Sequence, residues 1–370
     1  MAKIITVYTD ASEPWELRDM SHIHWLKFSE GLARLGHRVD IATNEPRWKR
    51  DRSALLMGTG LRRVPLEEVR WRDYSVVVTL FHHGFDTLER LGGGRHPFIV
   101  TFLGSVVGAE DREGVYFYGA IRQVLYRTQS RIHQKARFIV FISQAARSLW
   151  EREHGSRQGM LIIPGAADAE IPLPSPNPYD SFQDKVCIFS GNIYGEDDQP
   201  EANRALVEKL NAVGKRLRGT GIRLVFQGPG DSSKLDPEYV TNLDSCLYEE
   251  SWRYIQHAAV GLVVSAGRFM NNNESTKIYH YLRAGLPVVS ESGFPNDNVV
   301  RESALGFIVP AGDMDQLAEK VCEAANWPGD RDLAIRYIMA NHTWPQRIAV
   351  LNSIMPSDDR VPLIYRWFRL

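Results

Sequence analysis

Short apolar segments alternate with amphipathic segments at the start of the chain. Lys3–Thr9 is apolar enough for a strand, Ser21–Leu35 has the spacing of an amphipathic helix, and Val39–Thr43 is a second apolar segment after a glycine turn. Such an order is typical of a βαβ unit, in which a helix connects two parallel strands. The first 43 residues therefore predict the beginning of a parallel α/β domain.

The same alternation continues over the rest of the first half. Strands and helices that alternate in this way predict a doubly wound parallel sheet. The further strands are predicted at Ser75–Leu80, Phe98–Phe102, Phe138–Ile142 and Met160–Ile163, and the further helices at Tyr116–Lys135 and Gln144–His154.

A proline-rich segment, Ile171–Tyr179, separates this pattern from a second one of the same kind. The second pattern predicts strands Val186–Ser190, Ile222–Gln227, Val260–Val264 and Pro287–Val289, and helices Glu201–Arg216, Glu250–His257 and Met314–Ala325. We therefore expect a linker at residues 171–180 between two α/β domains, residues 1–170 and 181–340, that face each other across a cleft. Residues 341–370, with a helical pattern at Trp344–Ile354, are expected to pack back on the first domain.

The segment Asn271–Ser290 joins a polar loop, an amphipathic helix and a buried strand. Ser275 and Thr276 stand at the predicted N-cap of this helix, Lys277 adds a positive charge to its first turn, and Gly285 ends it. The free N–H groups of a first turn and the helix dipole attract anions. The segment thus predicts an anion site, although an ordinary helix with a solvated lysine has the same pattern.

Composition and charge narrow the class of protein. The 370 residues suffice for two domains, and 44% hydrophobic with 24% charged residues is typical of a soluble globular protein. No run of 18 apolar residues predicts a membrane-spanning helix, so we expect a cytoplasmic protein. Residues 1–170 carry 24 Lys and Arg against 20 Asp and Glu, and the remainder 20 against 25. Without a concentrated basic stripe, no nucleic-acid partner is expected.

The metal-binding residue types show no ligand spacing. Cys187, Cys246 and Cys322 are too far apart in sequence for a zinc motif and too few for a disulfide framework. The acidic pair Asp197 and Asp198 lies in a hydrophilic loop and lacks the D-x-D spacing of metal-dependent sugar transferases. No metal site is predicted.

Several local patterns, in the same order along the chain, resemble the GT-B glycosyltransferases of family 4, the glycosyl transferases group 1. This resemblance implies an α/β fold of two Rossmann-like domains with a C-terminal crossover helix. It also implies a metal-independent, retaining enzyme without a cofactor, which moves a sugar from a nucleotide diphosphate sugar to a hydroxyl of a glycan, lipid-linked or small-molecule acceptor. The patterns are Gly31–Thr43, Phe138–Trp150, Leu161–Asp168, Val186–Gly195, Ser275–Val289 and Gly306–Val321.

By this resemblance the second domain binds the donor. Ser275–Lys277 would supply N–H donors and a cation for the pyrophosphate. His280 stands where the family usually has a glutamate that hydrogen-bonds the nucleotide ribose. Asn272 stands at the first glutamate of the family's paired motif, and Glu274 follows two residues later. Glu274 is a candidate contact of the donor sugar, with a purely electrostatic effect on the helix dipole as the alternative.

Further donor contacts are predicted at five positions. Gly191 and Asn192 follow a strand, where glycine lets the backbone approach a phosphate or sugar, although a plain tight turn needs the same residue. Tyr248 would stack on the nucleotide base or pack in the core, and Asn273 lies beside Glu274. The basic residues that many family members carry after the glycine loop are acidic here, so Arg268 is a candidate second cation.

Candidate catalytic residues of the first domain follow its strands. Asp10 comes after the first strand, and His82 and His83 come after Ser75–Leu80. A histidine of near-neutral pKa can take a proton from an acceptor hydroxyl, but lone histidines are more often surface or internally bonded groups. Together with Glu274 they form the predicted catalytic set, and Leu103 stands where family members often have a histidine.

Two other functions fit the same pattern. The fold also hosts nucleotide-sugar epimerases, which need no acceptor. A nucleotide-sugar-binding protein of impaired catalysis is suggested by Leu103 and His280 at positions where the family has other residues. The basic, aromatic sequence Arg366–Leu370 suggests peripheral contact with the inner face of a membrane.

Overall fold

The computed structural model describes residues 1–8, 20–43, 61–109, 119–195, 197, 199–267, 270 and 272–356. These residues form two compact units. The first comprises the described residues up to Ala109 together with residues 119–164 and 344–356, and the second comprises the described residues between Gly165 and Thr343. The chain thus passes between the units at Pro164–Gly165, six residues before the predicted linker, and again at Thr343–Trp344.

The first unit is built on a parallel sheet, which has seven strands in the described residues. These are β1 (Lys3–Val7), β2 (Arg38–Thr43), β3 (Arg62–Pro65), β4 (Val76–Leu80), β5 (Ile99–Leu103), β6 (Phe138–Phe141) and β7 (Met160–Ile162). Their order in the sheet is β3-β2-β1-β4-β5-β6-β7, so the order reverses between β1 and β4. The central strands β4 and β5 are buried along their whole length, as expected for a sheet covered on both faces.

Five helices accompany this sheet among the described residues. They are α1 (Met20–Arg34), α2 (Phe81–Arg90), α3 (Gly119–Lys135), α4 (Gln144–His154) and α11 (Trp344–Ile348). The last of them packs on α1, where a Cβ at Gly31 would lie 2.3 Å from Ile348 Cδ1. A glycine at this point of α1 therefore allows the C-terminal helix to pack closely. The predicted helix Trp344–Ile354 continues after Ile348 as a 3₁₀ helix.

The second unit contains a parallel sheet with six strands in the described residues. They are β8 (Lys185–Ser190), β9 (Ile222–Gln227), β10 (Val240–Leu243), β11 (Val260–Val263), β12 (Val288–Glu291) and β13 (Gly306–Val309). The sheet order is β10-β9-β8-β11-β12-β13, so the order reverses between β8 and β11. The helices are α5 (Pro200–Leu217), α6 (Tyr248–His257), α7 (Thr276–Arg283), α8 (Asp297–Glu302), α9 (Met314–Ala324) and α10 (Asp332–Asn341).

Two parallel sheets with alternating helices confirm the predicted α/β class of two Rossmann-like domains. The predicted proline-rich linker lies in the second unit, and His257 of α6 is within hydrogen-bond distance, 2.6 Å, of the Ser175 carbonyl oxygen. In the described residues no helix is long and apolar enough to cross a membrane. The sequence Arg366–Leu370 lies outside the described residues.

Candidate functional site

The ends of β8 and β11 lie side by side where the strand order of the second sheet reverses. Ligands of open α/β sheets bind beyond the carboxyl ends of the strands at such a switch point. Two connections leave the sheet there. One follows Ser190 at the end of β8, and the other leads from β11 to Thr276 at the start of α7.

Among the described residues, the N-cap side chain of α7 does not bond the first-turn backbone donors. Ser275 is the N-cap residue, as predicted, but its hydroxyl accepts no capping hydrogen bond from the described first turn. The N–H groups of Thr276 and Lys277 have no carbonyl one turn earlier in the helix. Together with the helix dipole, these groups favour an anion at this position.

Lys277 brings a cation to the same place. Its ammonium lies 4.8 Å from the ring centroid of the buried Phe189, at the end of β8. Among the described residues no acidic side chain forms an ion pair with it. Burial without such a partner lowers the pKa of Lys277 to about 8. A partly desolvated cation of this kind is an effective partner for a phosphate.

The missing side chain of Gly191 leaves the space that the Lys277 side chain occupies. A Cβ at Gly191 would lie 2.3 Å from Cε and 2.6 Å from Nζ of Lys277. The Gly191 N–H donates to the Gln227 carbonyl at 3.0 Å, so this donor is already used within the protein. The glycine therefore serves the placement of Lys277, a role that the sequence did not suggest.

The loop after β8 is fixed by a second glycine-containing loop. Gly228 and Gly230 have φ angles of 154° and 109°, and their missing side chains allow direct contact with the backbone of Gly191 and Ile193. The Ile193 N–H donates to the Pro229 carbonyl at 3.1 Å. The predicted contact residue Asn192 lies between these anchored positions and is exposed.

Glu274 comes just before the N-cap of α7 and is nearly buried. Its Oε2 accepts hydrogen bonds from the Gly165 N–H at 2.7 Å and from the Tyr279 hydroxyl at 3.0 Å. These bonds give Glu274 a local structural role in addition to the helix-dipole effect considered from sequence. Its contact with the donor sugar stays a prediction.

His280 of α7 lies beside Tyr248. Their ring centroids are 5.5 Å apart in an edge-to-face arrangement. Tyr248 is the first residue of α6, and its hydroxyl donates to Asp168 Oδ2 at 2.8 Å. Asp168 also pairs with the buried Arg283 at 3.3 Å. The half-buried Tyr248 ring is therefore held in one orientation beside His280, which is itself buried.

The start of the loop that leads to α7 is anchored by Glu291, which the sequence did not single out. This carboxylate is 0% exposed, and its Oε2 accepts from the Ser265 N–H and from Lys209 Nζ, both at 2.7 Å. Its Oε1 accepts from the Gly312 N–H at 2.8 Å. A charged residue at the end of the apolar strand β12 is the signal that would have identified it.

The other residues that the sequence analysis considered near this site are Asn272, Asn273, Arg268 and the acidic residue Asp198. Asn272 is buried and Asn273 is half-buried in the short segment before Glu274. The candidate second cation, Arg268, lies outside the described residues, as does Asp198. In the described residues no group of three or more His, Cys, Asp or Glu side chains could hold a metal ion.

His82 and His83 of the first unit lie in different environments. His82 is 7% exposed, and its Nε2 donates to Gln129 Oε1 on α3 at 3.1 Å. Burial lowers the pKa of His82 to about 4, so the ring is neutral at physiological pH. His83 is exposed on α2. Asp10, the third catalytic candidate of this unit, lies outside the described residues.

Phe81 occupies a strained position at the switch point of the first sheet. It has a φ of 59° at the end of β4, a conformation that is rare for a non-glycine residue. Its ring centroid lies 5.6 Å from that of Tyr8 and 5.8 Å from that of Phe102, at the ends of β1 and β5. A Cβ at Gly104 would lie 2.6 Å from the Phe81 ring, so this glycine accommodates it.

Comparison with known proteins gives a family match for the part of the chain that holds the candidate site. Residues 184–326 match the family Glycosyl transferases group 1. A sequence comparison with curated proteins gives no match. The matched range contains the ends of β8 and β11 and the start of α7 with Lys277.

Solved structures resemble the whole chain at low sequence identity. HepE from Anabaena, in complex with UDP and glucose, is 10% identical with a TM-score of 0.71, over 96% of this chain and 99% of that chain. Sucrose-phosphate synthase from Thermosynechococcus elongatus is 14% identical with a TM-score of 0.64, over 99% and 98%. The UDP-forming α,α-trehalose-phosphate synthase from Burkholderia vietnamiensis is 11% identical with a TM-score of 0.65, over 96% and 97%.

The shared fold covers nearly the whole chain, and the family match covers the part that holds the candidate site. The protein is therefore a glycosyltransferase with the GT-B fold, and residues 184–326 in its second unit match the Glycosyl transferases group 1 family.

Proposed function

We propose that this glycosyltransferase takes its sugar from a nucleotide diphosphate sugar bound at the start of α7 and transfers it to a hydroxyl acceptor. The observation that carries the proposal is Lys277. Its ammonium lies against Gly191 without an acidic partner in the described residues, in the same turn as the uncovered N–H groups of α7. A diphosphate supplies the negative charge that this arrangement favours.

The reaction breaks the bond between the anomeric carbon and the diphosphate oxygen, and the diphosphate leaves with the electron pair. A new bond forms between the anomeric carbon and the acceptor oxygen, whose proton is released. Lys277 and the first-turn N–H groups stabilise the charge that develops on the leaving diphosphate. A single preorganised donor of this kind contributes about 3 kcal/mol to transition-state stabilisation.

The protonation state of Lys277 sets a condition for donor binding. With a pKa of about 8 before ligand binding, its amine is mostly charged at pH 7. A bound diphosphate favours the charged form and raises the pKa further. Donor affinity should therefore be greatest below about pH 8 and fall as the pH rises above that value.

The choice of donor is supported by the structural neighbours. HepE has been solved in complex with UDP-glucose as well as with UDP. UDP-sugars are therefore the first donors to test. From the family resemblance we also propose a metal-independent reaction that retains the anomeric configuration, without a cofactor.

The decisive experiment incubates the purified protein with UDP-, GDP-, ADP- and dTDP-sugars, each with and without a panel of glycan, lipid-linked and small hydroxyl acceptors. We expect one donor class to yield a glycosylated acceptor in the presence of EDTA, with the anomeric configuration retained by NMR. Isomerisation of the donor without any acceptor would instead reveal an epimerase. Nucleotide binding without turnover across the whole panel would contradict the transferase proposal.

A further inference from the structure

Asn296 makes an unusual pair of hydrogen bonds to the N-cap residue of α7. Its side chain is 1% exposed and lies between β12 and α8. Its Oδ1 accepts from the Ser275 N–H at 3.0 Å, and its Nδ2 donates to the Ser275 carbonyl at 2.9 Å. One side-chain amide thus holds both backbone polar groups of Ser275, as a neighbouring strand would.

Asn296 stands at a helix N-cap, where its side chain would ordinarily bond its own helix. Asn296 is the N-cap residue of α8, where asparagine usually accepts a hydrogen bond from the first turn of its own helix. It makes no such bond in the described structure. Its amide is directed to Ser275, 21 residues earlier in the chain. The Asn296 side chain therefore bonds the N-cap residue of α7 and does not cap α8, its own helix.

Ser275 shows the complementary behaviour. Its backbone is held by the hydrogen bonds to Asn296, and its own hydroxyl does not cap the described first turn of α7. Two N-cap residues are therefore in contact, and neither covers the N–H groups of its own helix. Asn296 thus fixes the N-cap residue of α7, two residues before Lys277, while no described N-cap side chain bonds the first-turn N–H groups.

We propose that Asn296 is a positioning residue of the donor site, which acts through Ser275 and holds the first turn of α7 ready for a diphosphate. This inference rests on the proposed function. When the N–H groups are fixed before binding, less conformational entropy is lost on binding. Loss of Asn296 should therefore weaken mainly the affinity for the phosphate-bearing part of the nucleotide sugar. A purely structural asparagine would affect folding without such selectivity.

The test compares Asn296→Ala with the matched control Asn298→Ala. Asn298 is exposed on the same helix and bonds only the nearby Glu302, at 2.9 Å, among the described residues. Calorimetry with UDP, GDP, ADP and dTDP first identifies the nucleotide that wild-type protein binds. The affinities for that nucleotide and for its free nucleoside are then measured on both variants, at a temperature where circular dichroism shows them folded.

We expect Asn296→Ala to weaken binding of the nucleoside diphosphate about tenfold, with a much smaller effect on the free nucleoside. Asn298→Ala should change both affinities by less than about twofold. In transfer assays the KM for the donor should rise more than kcat falls. If Asn296→Ala does not fold, Asn296→Ser gives the comparison with a neutral polar side chain, which is too short to bond both backbone groups of Ser275 as the amide does.

Two results would overturn the inference alone. Either the folded variant binds the nucleoside diphosphate as well as wild type does, or its affinities for the diphosphate and the nucleoside fall by the same factor. If the wild-type protein binds none of the four nucleotides, the proposed function fails and the inference fails with it.

Discussion

At the residue scale, the site depends on how one lysine is placed. Lys277 was predictable from its position in the first turn of an amphipathic helix. The residues that place it were not, because Phe189 and Gly191 lie more than eighty residues away in sequence. The close approach of Gly191 to a phosphate stays a prediction; in the structure its N–H is bonded to Gln227 and its missing side chain leaves space for the lysine.

A Gly191→Ala substitution tests this placement. The added methyl would lie 2.3 Å from Lys277 Cε, and the flexible lysine can move away at little cost to folding. We therefore expect the free energy of unfolding to change by less than about 1 kcal/mol, while the affinity for the bound nucleoside diphosphate falls about tenfold. Urea unfolding and calorimetry measure the two quantities.

A double-mutant cycle provides the control for Gly191→Ala. If the methyl acts by displacing the lysine, it should have little further effect on nucleotide affinity in a Lys277→Ala background. Equal losses in both backgrounds would show that Gly191 acts independently of Lys277.

At the scale of elements, Glu274 ties the segment before α7 to the beginning of the second unit. Its Oε2 accepts from the Gly165 N–H and from the Tyr279 hydroxyl, both of which are buried. A Cβ at Gly165 would lie 3.1 Å from this oxygen, so the backbone approaches the carboxylate closely. The segment after Pro164 and the start of α7 are thus joined by one buried carboxylate.

Glu274→Ala should therefore destabilise the protein by about 2 kcal/mol, because it removes two buried hydrogen bonds. Urea unfolding followed by tryptophan fluorescence measures the change. Glu249→Ala is the matched control, since Glu249 is exposed on α6. An unfolding free energy for Glu274→Ala equal to that of the control would show that the two hydrogen bonds do not contribute to stability.

The bounds of elements with a clear hydrophobic period, such as helix α4 and strand β9, were predicted to within about two residues. Other elements, such as helix α2 and strand β10, were not predicted. The first turn of helix α2 contains two histidines and Gly84, so its local preference for helix is weak. It forms because it packs on β1, where a Cβ at Gly84 would lie 2.4 Å from the Val7 carbonyl oxygen. Strand β10 lies at a sheet edge and is only partly buried, which removes the apolar signal. Both depend on contacts that the local sequence does not encode.

At the scale of the whole molecule, the two units differ in what the sequence could reveal. The family match at residues 184–326 falls in the second unit, where the proposed anion site combines a helix start and a lysine within three residues. The first unit has the predicted fold, but its candidate His82 is bonded to Gln129 inside the unit. Burial is a property of the folded unit, so a histidine in the sequence does not show whether it faces a substrate.

Two histidines with lowered pKa values, His82 and His154, lead us to expect that the first unit loses stability in acid. The pKa of His82 is lowered from 6.5 to about 4 by burial, and burial also lowers that of His154 to about 4. Below about pH 6.5 the unfolded chain takes up protons that the native unit does not bind, so the free energy of unfolding falls as the pH decreases from 6.5 towards 4. For the fully buried His82 this loss amounts to about 3 kcal/mol.

Hydrogen exchange of the α2 and α3 amides between pH 7 and 4.5, corrected for the intrinsic exchange rate, measures this loss in the first unit. His82→Asn removes the titrating group and keeps a donor for Gln129, so it should reduce the pH dependence. The control His83→Asn alters an exposed neighbour and should leave the dependence unchanged. A pH dependence identical in all three proteins would exclude His82 as its source.

The central claim is that Lys277 at the start of α7 holds the diphosphate of a sugar donor. The most direct test measures sugar transfer and nucleoside diphosphate binding by Lys277→Ala, with the exposed Lys215→Ala as control. The account predicts a loss of transfer of about 100-fold or more, weaker nucleotide binding and an unchanged circular dichroism spectrum for Lys277→Ala, with wild-type behaviour for Lys215→Ala. Transfer by Lys277→Ala at nearly the wild-type rate, with every donor that the protein uses, would contradict it.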